Sequence, residues 1–180
     1  RVYAPGNQSI TACTDPLSGG ECIDVLGESV RVMAVPGHTR GHLAYYAKGA
    51  LFCGDTLFGA GCGRLFEGTP EQMAASLDSI AALPDATRLY CAHEYTEMNL
   101  RFAVAVEPAN AALQERIIRV AALRAAGQAS VPSTLAEEKT SNPFLRCGEP
   151  AVIDAALRQG AVSRDKVAVF AAIRGWRNSF

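Results

Sequence analysis

The chain has 180 residues, 49% apolar and 19% charged, with 17 basic against 18 acidic side chains and a formal net charge of −1. This apolar content excludes a disordered chain and supplies one ordinary domain or two small ones, and the even charge balance leaves no footprint for nucleic acid or an anionic membrane surface. No apolar stretch reaches the roughly 18 residues that span a bilayer, no secretory signal is visible, and six cysteines without C-x-x-C spacing read as reduced, small hydrophobes of a cytoplasmic protein.

In chain order, Val30 to Val35 alternates loosely and runs into Pro36-Gly37, a strand followed by a turn. His38 sits in that turn, and His42 follows at the start of the next strand. His42 to Tyr46 and Ala50 to Cys53 read as a hairpin about Lys48-Gly49, and Asp55 ends the second arm. Residues 59–68, GAGCGRLFEG, form a Gly-rich loop that contains Arg64 and Phe66. Thr69, Pro70 and Gln72 predict a capped helix start, with Met73, Leu77, Ile80 and Leu83 on one face and Pro84-Asp85 as the stop. Arg88 to Ala92 is a short strand of the buried type that leads to His93, and Tyr95 follows.

Past about residue 97 the pattern turns helical. Pro108 to Ala126 carries a stripe of Leu113, Ile117, Val120 and Leu123 and closes at Gly127. Residues 131–149 read as a link punctuated by Pro and Ser, and Pro150 to Gln159 as a helix ended by Gly160. Ser163 is the expected cap of a last helix bearing Val167, Phe170, Ile173 and Arg174. The expected organisation is an α/β part over residues 1–97 and a helical part over residues 98–180.

The chemistry concentrates on the three histidines. An Asp at the end of an apolar strand is costly unless it is paired, capping or ligating, and a carboxylate has two oxygens with which to bridge two cations. His38, Asp55 and His93 therefore form the candidate metal set, suited to Zn²⁺ or Fe²⁺ and to activating water near neutral pH, with Asp55 the candidate catalytic residue. His42 reads as packing, or as a hydrogen bond that orients a ligand. Arg64 is a candidate anion binder or a solvated charge, and Tyr95 a hydrogen-bond donor or packing. Arg174 and Arg177, three apart around Trp176, are either a carboxylate clamp or an ordinary surface face.

Six blocks in order, PGHTRGH (36–42), GDTLFGAGCGRLFEGT (54–69), CAHEYT (91–96), NLRFAVAVEP (99–108), VPSTLAEEKTSNPF (131–144) and AAIRGWRNSF (171–180), resemble glyoxalase II, hydroxyacylglutathione hydrolase, of the metallo-β-lactamase superfamily. The first two alone would indicate only the superfamily; the fifth and the helical C-terminal region narrow it. The resemblance implies the C-terminal part of an αββα sandwich followed by a small all-helical, glutathione-binding domain. It implies two divalent metals (Zn, with Fe or Mn as alternatives) and a monomer that takes a small-molecule glutathione thioester. The implied reaction is hydrolysis of S-D-lactoylglutathione to D-lactate and glutathione by a metal-bound hydroxide, the second step of methylglyoxal detoxification. By the same resemblance His38 would bind the first metal, Asp55 would bridge both and His93 would bind the second. Arg64, Tyr95, Arg174 and Arg177 would contact glutathione, and Phe66 stands where some members have a tyrosine.

The family's T-H-x-H-x-D-H motif precedes the resembling region and does not occur in this sequence. With it go four ligands (two histidines of the first metal, an Asp and a His of the second) and most of the first sheet layer. These 180 residues are thus expected to be about the C-terminal two-thirds of such a protein, binding metal poorly and hydrolysing the thioester negligibly on their own. Two alternatives stand beside this reading. One is a mononuclear-iron persulfide dioxygenase, against which the helical residues 108–180 argue; the other is a truncated, non-catalytic glutathione-binding fragment.

Overall fold

A computed structural model describes residues 1–180. Near the N-terminus, β1 (Tyr3–Pro5) and β2 (Asp15–Leu17) form a two-stranded parallel pair. Then come β3 (Cys22–Val25), β4 (Glu28–Ala34), β5 (Leu43–Ala47) and β6 (Ala50–Gly54), followed by a small hairpin of β7 (Leu57–Phe58) and β8 (Gly61–Cys62). Helix α1 (Pro70–Ala81) crosses to β9 (Arg88–Cys91). The C-terminal half adds α2 (Thr96–Val106), α3 (Ala111–Ala125), the short β10 (Ser133–Thr134), α4 (Leu135–Ser141), α5 (Pro150–Arg158) and α6 (Lys166–Ser179).

The main sheet has the order β10-β9-β6-β5-β4-β3. Pairing is antiparallel from β3 to β6 and parallel between β6 and β9, with α1 supplying the crossover that parallel neighbours require. Because β4 and β6 are each antiparallel to β5, strands β4, β6 and β9 all point the same way. Their carboxyl ends lie along one edge of the sheet, which is where open α/β sheets place ligands.

Side chains alternate across β6: Leu51 and Cys53 are fully buried, whereas Phe52 between them is half exposed and stacks on Tyr90 of β9. The buried face joins one continuous core with Met73, Leu77 and Ile80 of α1, Phe102 of α2, Val152 of α5 and Phe170 and Ile173 of α6. That core spans both stretches divided at residue 97. No helix is long and apolar enough to cross a membrane.

The start of α1 follows from its sequence. Thr69 accepts from the Gln72 N–H, Gln72 returns a bond to the Thr69 N–H, and Pro70 opens the first turn. The structure departs from the expected elements at five points. The helix expected from Pro108 begins at Ala111, because Asn110 caps it by accepting from the Leu113 N–H at 3.1 Å. Arg116, rather than an apolar residue, shares the buried stripe of that helix with Leu113 and Val120. Helix α2 lies in the stretch expected to be helical but has no bounds of its own in the sequence; Tyr95 gives it no side-chain cap, and burial of Leu100, Phe102, Ala103 and Val106 holds it. The supposed link at residues 131–149 contains β10 and α4, the latter capped by Thr134, which accepts from the Glu137 N–H. Finally, α6 is capped by Asp165, accepting from the N–H groups of Val167 and Ala168, while Ser163 bonds the Asp165 carboxylate instead.

Candidate metal and substrate site

The three parallel-directed strands set the site. His38 lies just past β4, Asp55 immediately past β6 and His93 two residues past β9. His38 Nε2 stands 3.9 Å from Asp55 Oδ2, and His93 Nε2 stands 3.3 Å from Asp55 Oδ1. The two imidazoles thus address opposite oxygens of one carboxylate.

The tautomers follow from the partners. His38 Nδ1 is 2.8 Å from the carbonyl of Arg64, which can only accept, so Nδ1 carries the proton and the Nε2 lone pair is free to ligate. His42 is the reverse case. Its Nε2 accepts the Asp55 backbone N–H at 3.0 Å, which occupies the lone pair a metal would need, and burial holds its pKa below the usual imidazole value. His42 therefore stays neutral and fixes the backbone of Asp55. Gly54 (φ +53°) makes this possible, since a Cβ there would lie 2.5 Å from His42 Nε2. On the other side of Asp55, a Cβ on Gly63 would sit 1.9 Å from the Asp55 carbonyl oxygen.

No three His, Cys, Asp or Glu side chains converge on a single ion position in this chain. The donor set fits two ions only in part, with one imidazole and one carboxylate oxygen available to each.

Beside these residues lies a cavity of about 240 Å³ lined by Phe58, Cys62, Arg64, Tyr95, Met98, Asn99, Arg174, Arg177 and Asn178. Four residues singled out in the sequence, Arg64, Tyr95, Arg174 and Arg177, are brought together here. Tyr95 stacks on His93 with ring centroids 4.9 Å apart, so the cavity adjoins the metal set directly. Phe66 does not line it; that ring is two-thirds exposed, edge-on to His38 at 5.0 Å and under the guanidinium of Arg64. Sequence reasoning gave no role to Phe58, Asn99 or Asn178, although each lies inside one of the quoted blocks.

The surface reading of the last helix face fails for Arg174. It is 7% exposed and donates to the Cys62 carbonyl at 3.0 Å and to Asn178 Oδ1 at 2.9 Å. Arg177 is freer, with one long contact to Asn99 Oδ1 at 3.5 Å, and burial beside the charge of Arg174 lowers its pKa. None of Arg64, Arg174 and Arg177 is ion-paired with a carboxylate. Three guanidinium groups on one small cavity with no acid to neutralise them form a site for an anion.

All six cysteines are free thiols. Burial pushes Cys53 and Cys147 up to about 12 and Cys62 up to about 11, so almost none of their thiolate, the reactive form, exists near neutrality. Iodoacetamide at pH 8 should therefore alkylate the exposed Cys22 and the half-buried Cys13, leaving Cys53, Cys62 and Cys147 unmodified until denaturant is added. Peptide mass mapping reads this directly, and early labelling of Cys62 would contradict the buried cavity wall.

Comparison with known proteins agrees with this geometry. Residues 3–93 match the family model of the metallo-beta-lactamase superfamily, and residues 94–180 match that of the hydroxyacylglutathione hydrolase C-terminus. A hydroxyacylglutathione hydrolase of Dechloromonas aromatica is 69% identical over 99% of this chain and 73% of its own length. One from Pseudomonas fluorescens is 52% identical over the whole chain and 71% of its own length. Among solved structures, the crystal structure of ETHE1 from Myxococcus xanthus superposes with a TM-score of 0.60 over 98% of this chain and 65% of that one. At 22% identity that likeness speaks for the fold alone.

Proposed function

The chain belongs to the hydroxyacylglutathione hydrolase family of thioester hydrolases within the metallo-β-lactamase superfamily, and we propose that its residues supply part of a site for hydrolysis of S-D-lactoylglutathione to D-lactate and glutathione, a part that turns the thioester over negligibly without further metal donors. The observation that carries this reading is the carboxylate of Asp55 set between His38 and His93, beside a cavity walled by three unpaired arginines. His38 and Asp55 would hold one divalent metal, and Asp55 and His93 a second. Metals bound there supply Lewis acidity toward the thioester carbonyl and lower the pKa of bound water to give a nucleophile.

The chain's own residues do the rest. Arg64 and Arg177 attract the carboxylates of the glutathione moiety. Arg174, committed to the Cys62 carbonyl, adds its charge to the field without turning toward the ligand. Tyr95, stacked on His93, offers its ring and hydroxyl between the cavity and the metal set. His42 pins the Asp55 backbone so that both carboxylate oxygens stay aimed at the imidazoles. A monomer working in a reducing cytoplasm suits six unpaired thiols.

Calorimetric titration of reduced glutathione tests the cavity without requiring turnover. Hydrogen bonds to charged groups contribute about 1.5–3 kcal/mol, so Arg177→Ala should weaken binding roughly 10- to 100-fold. Arg174→Ala should act first on stability, because it strips the Cys62 carbonyl of its donor. A chain that binds no glutathione, or an Arg177→Ala variant that binds it unchanged, would remove the reading.

A further inference from the structure

The hairpin of β7 and β8 forms one wall of the site, yet side chains of the helical half hold most of its backbone. Asn142 Nδ2 donates to the carbonyls of Phe58 at 3.2 Å and Gly61 at 3.0 Å. Asn99 Nδ2 donates to the Gly59 carbonyl at 3.0 Å. Glu138 accepts the Ala60 N–H at 2.8 Å, and Ala60 sits at φ +54°, a left-handed conformation that Ala adopts only under constraint. Asn142 and Glu138 are both fully buried.

The amide orientation of Asn142 is fixed by its surroundings. Its Oδ1 accepts the Phe144 N–H at 3.1 Å, so Nδ2 faces the hairpin and also meets Glu138 Oε2 at 3.0 Å. Two amide hydrogens thus serve three acceptors, and small displacements of Phe58 or Gly61 are opposed. Phe58 in turn packs against the site. Its ring centroid lies 5.4 Å from that of Tyr95 and 6.1 Å from that of His93, and Tyr95 and His93 stack on each other. No acid, amide or hydroxyl on β7 or β8 does this work; the hairpin depends on Asn99 of α2, on Glu138 of α4 and on Asn142, the residue after α4.

We propose that Asn142 is a positioning residue for His93 and Tyr95. It holds the Phe58 carbonyl, and with it the ring on which the His93–Tyr95 stack rests, while Glu138 keeps the Asn142 amide aimed. The inference rests on the hydrolase reading for what the stack serves, but the link from Asn142 to His93 is geometric and can be tested apart from it.

The chain has three histidines, so its imidazole proton NMR signals can be assigned with three His→Gln variants. Asn142→Ala should move the His93 signals, which feel the ring currents of Tyr95 and Phe58, and leave those of His42 in place. Ser133→Ala is the control: it removes a different bond to Glu138, 2.6 Å from Oε1, on the side away from the hairpin. It should lower the melting temperature without moving His93. If Asn142→Ala does not fold, Asn99→Ala, which frees the Gly59 carbonyl and removes the one long contact of Arg177 but leaves every bond of Asn142 in place, tests whether the hairpin turn acts on His93. Unmoved His93 signals in a folded Asn142→Ala chain (or, where that variant does not fold, in Asn99→Ala), or equal movement in Ser133→Ala, would overturn the proposal. Reduced glutathione added to the same samples separates the two readings. Should the wild-type chain fail to bind it, the hydrolase assignment of the cavity falls, while the imidazole comparison still decides whether Asn142 positions His93.

Discussion

Zn²⁺ added to the 180-residue chain is expected to bind weakly, and S-D-lactoylglutathione incubated with that chain to survive. Catalytic zinc sites use three protein donors and structural sites four. Here each ion would find two: His38 Nε2 with Asp55 Oδ2, and His93 Nε2 with Asp55 Oδ1. The lone pair of His42 is taken by the Asp55 N–H and cannot make up the number. Supplying donors tests the argument. A chimera that places before Arg1 a segment carrying the T-H-x-H-x-D-H motif implied by the family resemblance would offer two histidines to one ion and an Asp and a His to the other. Metal-ion stabilisation of the transition state amounts to several kcal/mol, so thioester hydrolysis in the chimera should rise about 10³-fold or more above the 180-residue chain. Asp55→Ala in the chimera should lower both metal content and rate, since that substitution removes one carboxylate oxygen from each ion's set and the anion between the two ions. Stoichiometric, tight zinc in the 180-residue chain, or turnover equal to the chimera's, would refute the two-donor account.

The parts of this molecule that the sequence announces are those whose causes are local. Alternation marks β4, a two-residue turn marks the hairpin of β5 and β6, and a capping box marks α1. The candidate metal set is legible for a related reason: an Asp at the end of an apolar run is costly unless it is paired, capping or ligating. What stays hidden depends on distant partners. Glu138, in the run Leu135-Ala136-Glu137-Glu138-Lys139, looks like one more solvated charge, yet it is fully buried and meets groups 22 and 78 positions away. A helix whose inward position is a glutamate shows no apolar period, which is why α4 reads as a link. Arg174 hides in the same way, because its partner is a carbonyl 112 positions earlier. Arg64 and Arg177 are visible as cations, but only the fold shows that no acid answers them.

Arg116→Met should be among the most damaging single substitutions outside the site. Arg116 is 1% exposed and donates to Glu138 Oε1 at 2.6 Å and Ser141 Oγ at 2.8 Å. Removing it leaves the Glu138 carboxylate buried with neutral donors only, Ala60 N–H, Ser133 Oγ and Asn142 Nδ2. Breaking a buried ion pair from one side costs about 3–5 kcal/mol. At about 2–4 °C per kcal/mol for a chain of this size, the melting temperature should fall by roughly 6–20 °C. Glu138→Gln alone should also destabilise, because its amide nitrogen must face either Arg116 or the Ala60 N–H and Asn142 Nδ2, none of which can accept. Combined with Arg116→Met, however, the amide can turn its oxygen to Ala60 and Asn142 and its NH₂ toward the hydroxyl of Ser133, which can accept. The double variant should therefore lose less than the sum of the two singles, and thermal denaturation of the three chains measures the difference. Strictly additive losses would mean that Arg116 acts on Glu138 through packing rather than charge. The sign of the coupling also bears on the site, since the same carboxylate holds the Ala60 N–H and with it the turn of the hairpin behind His93.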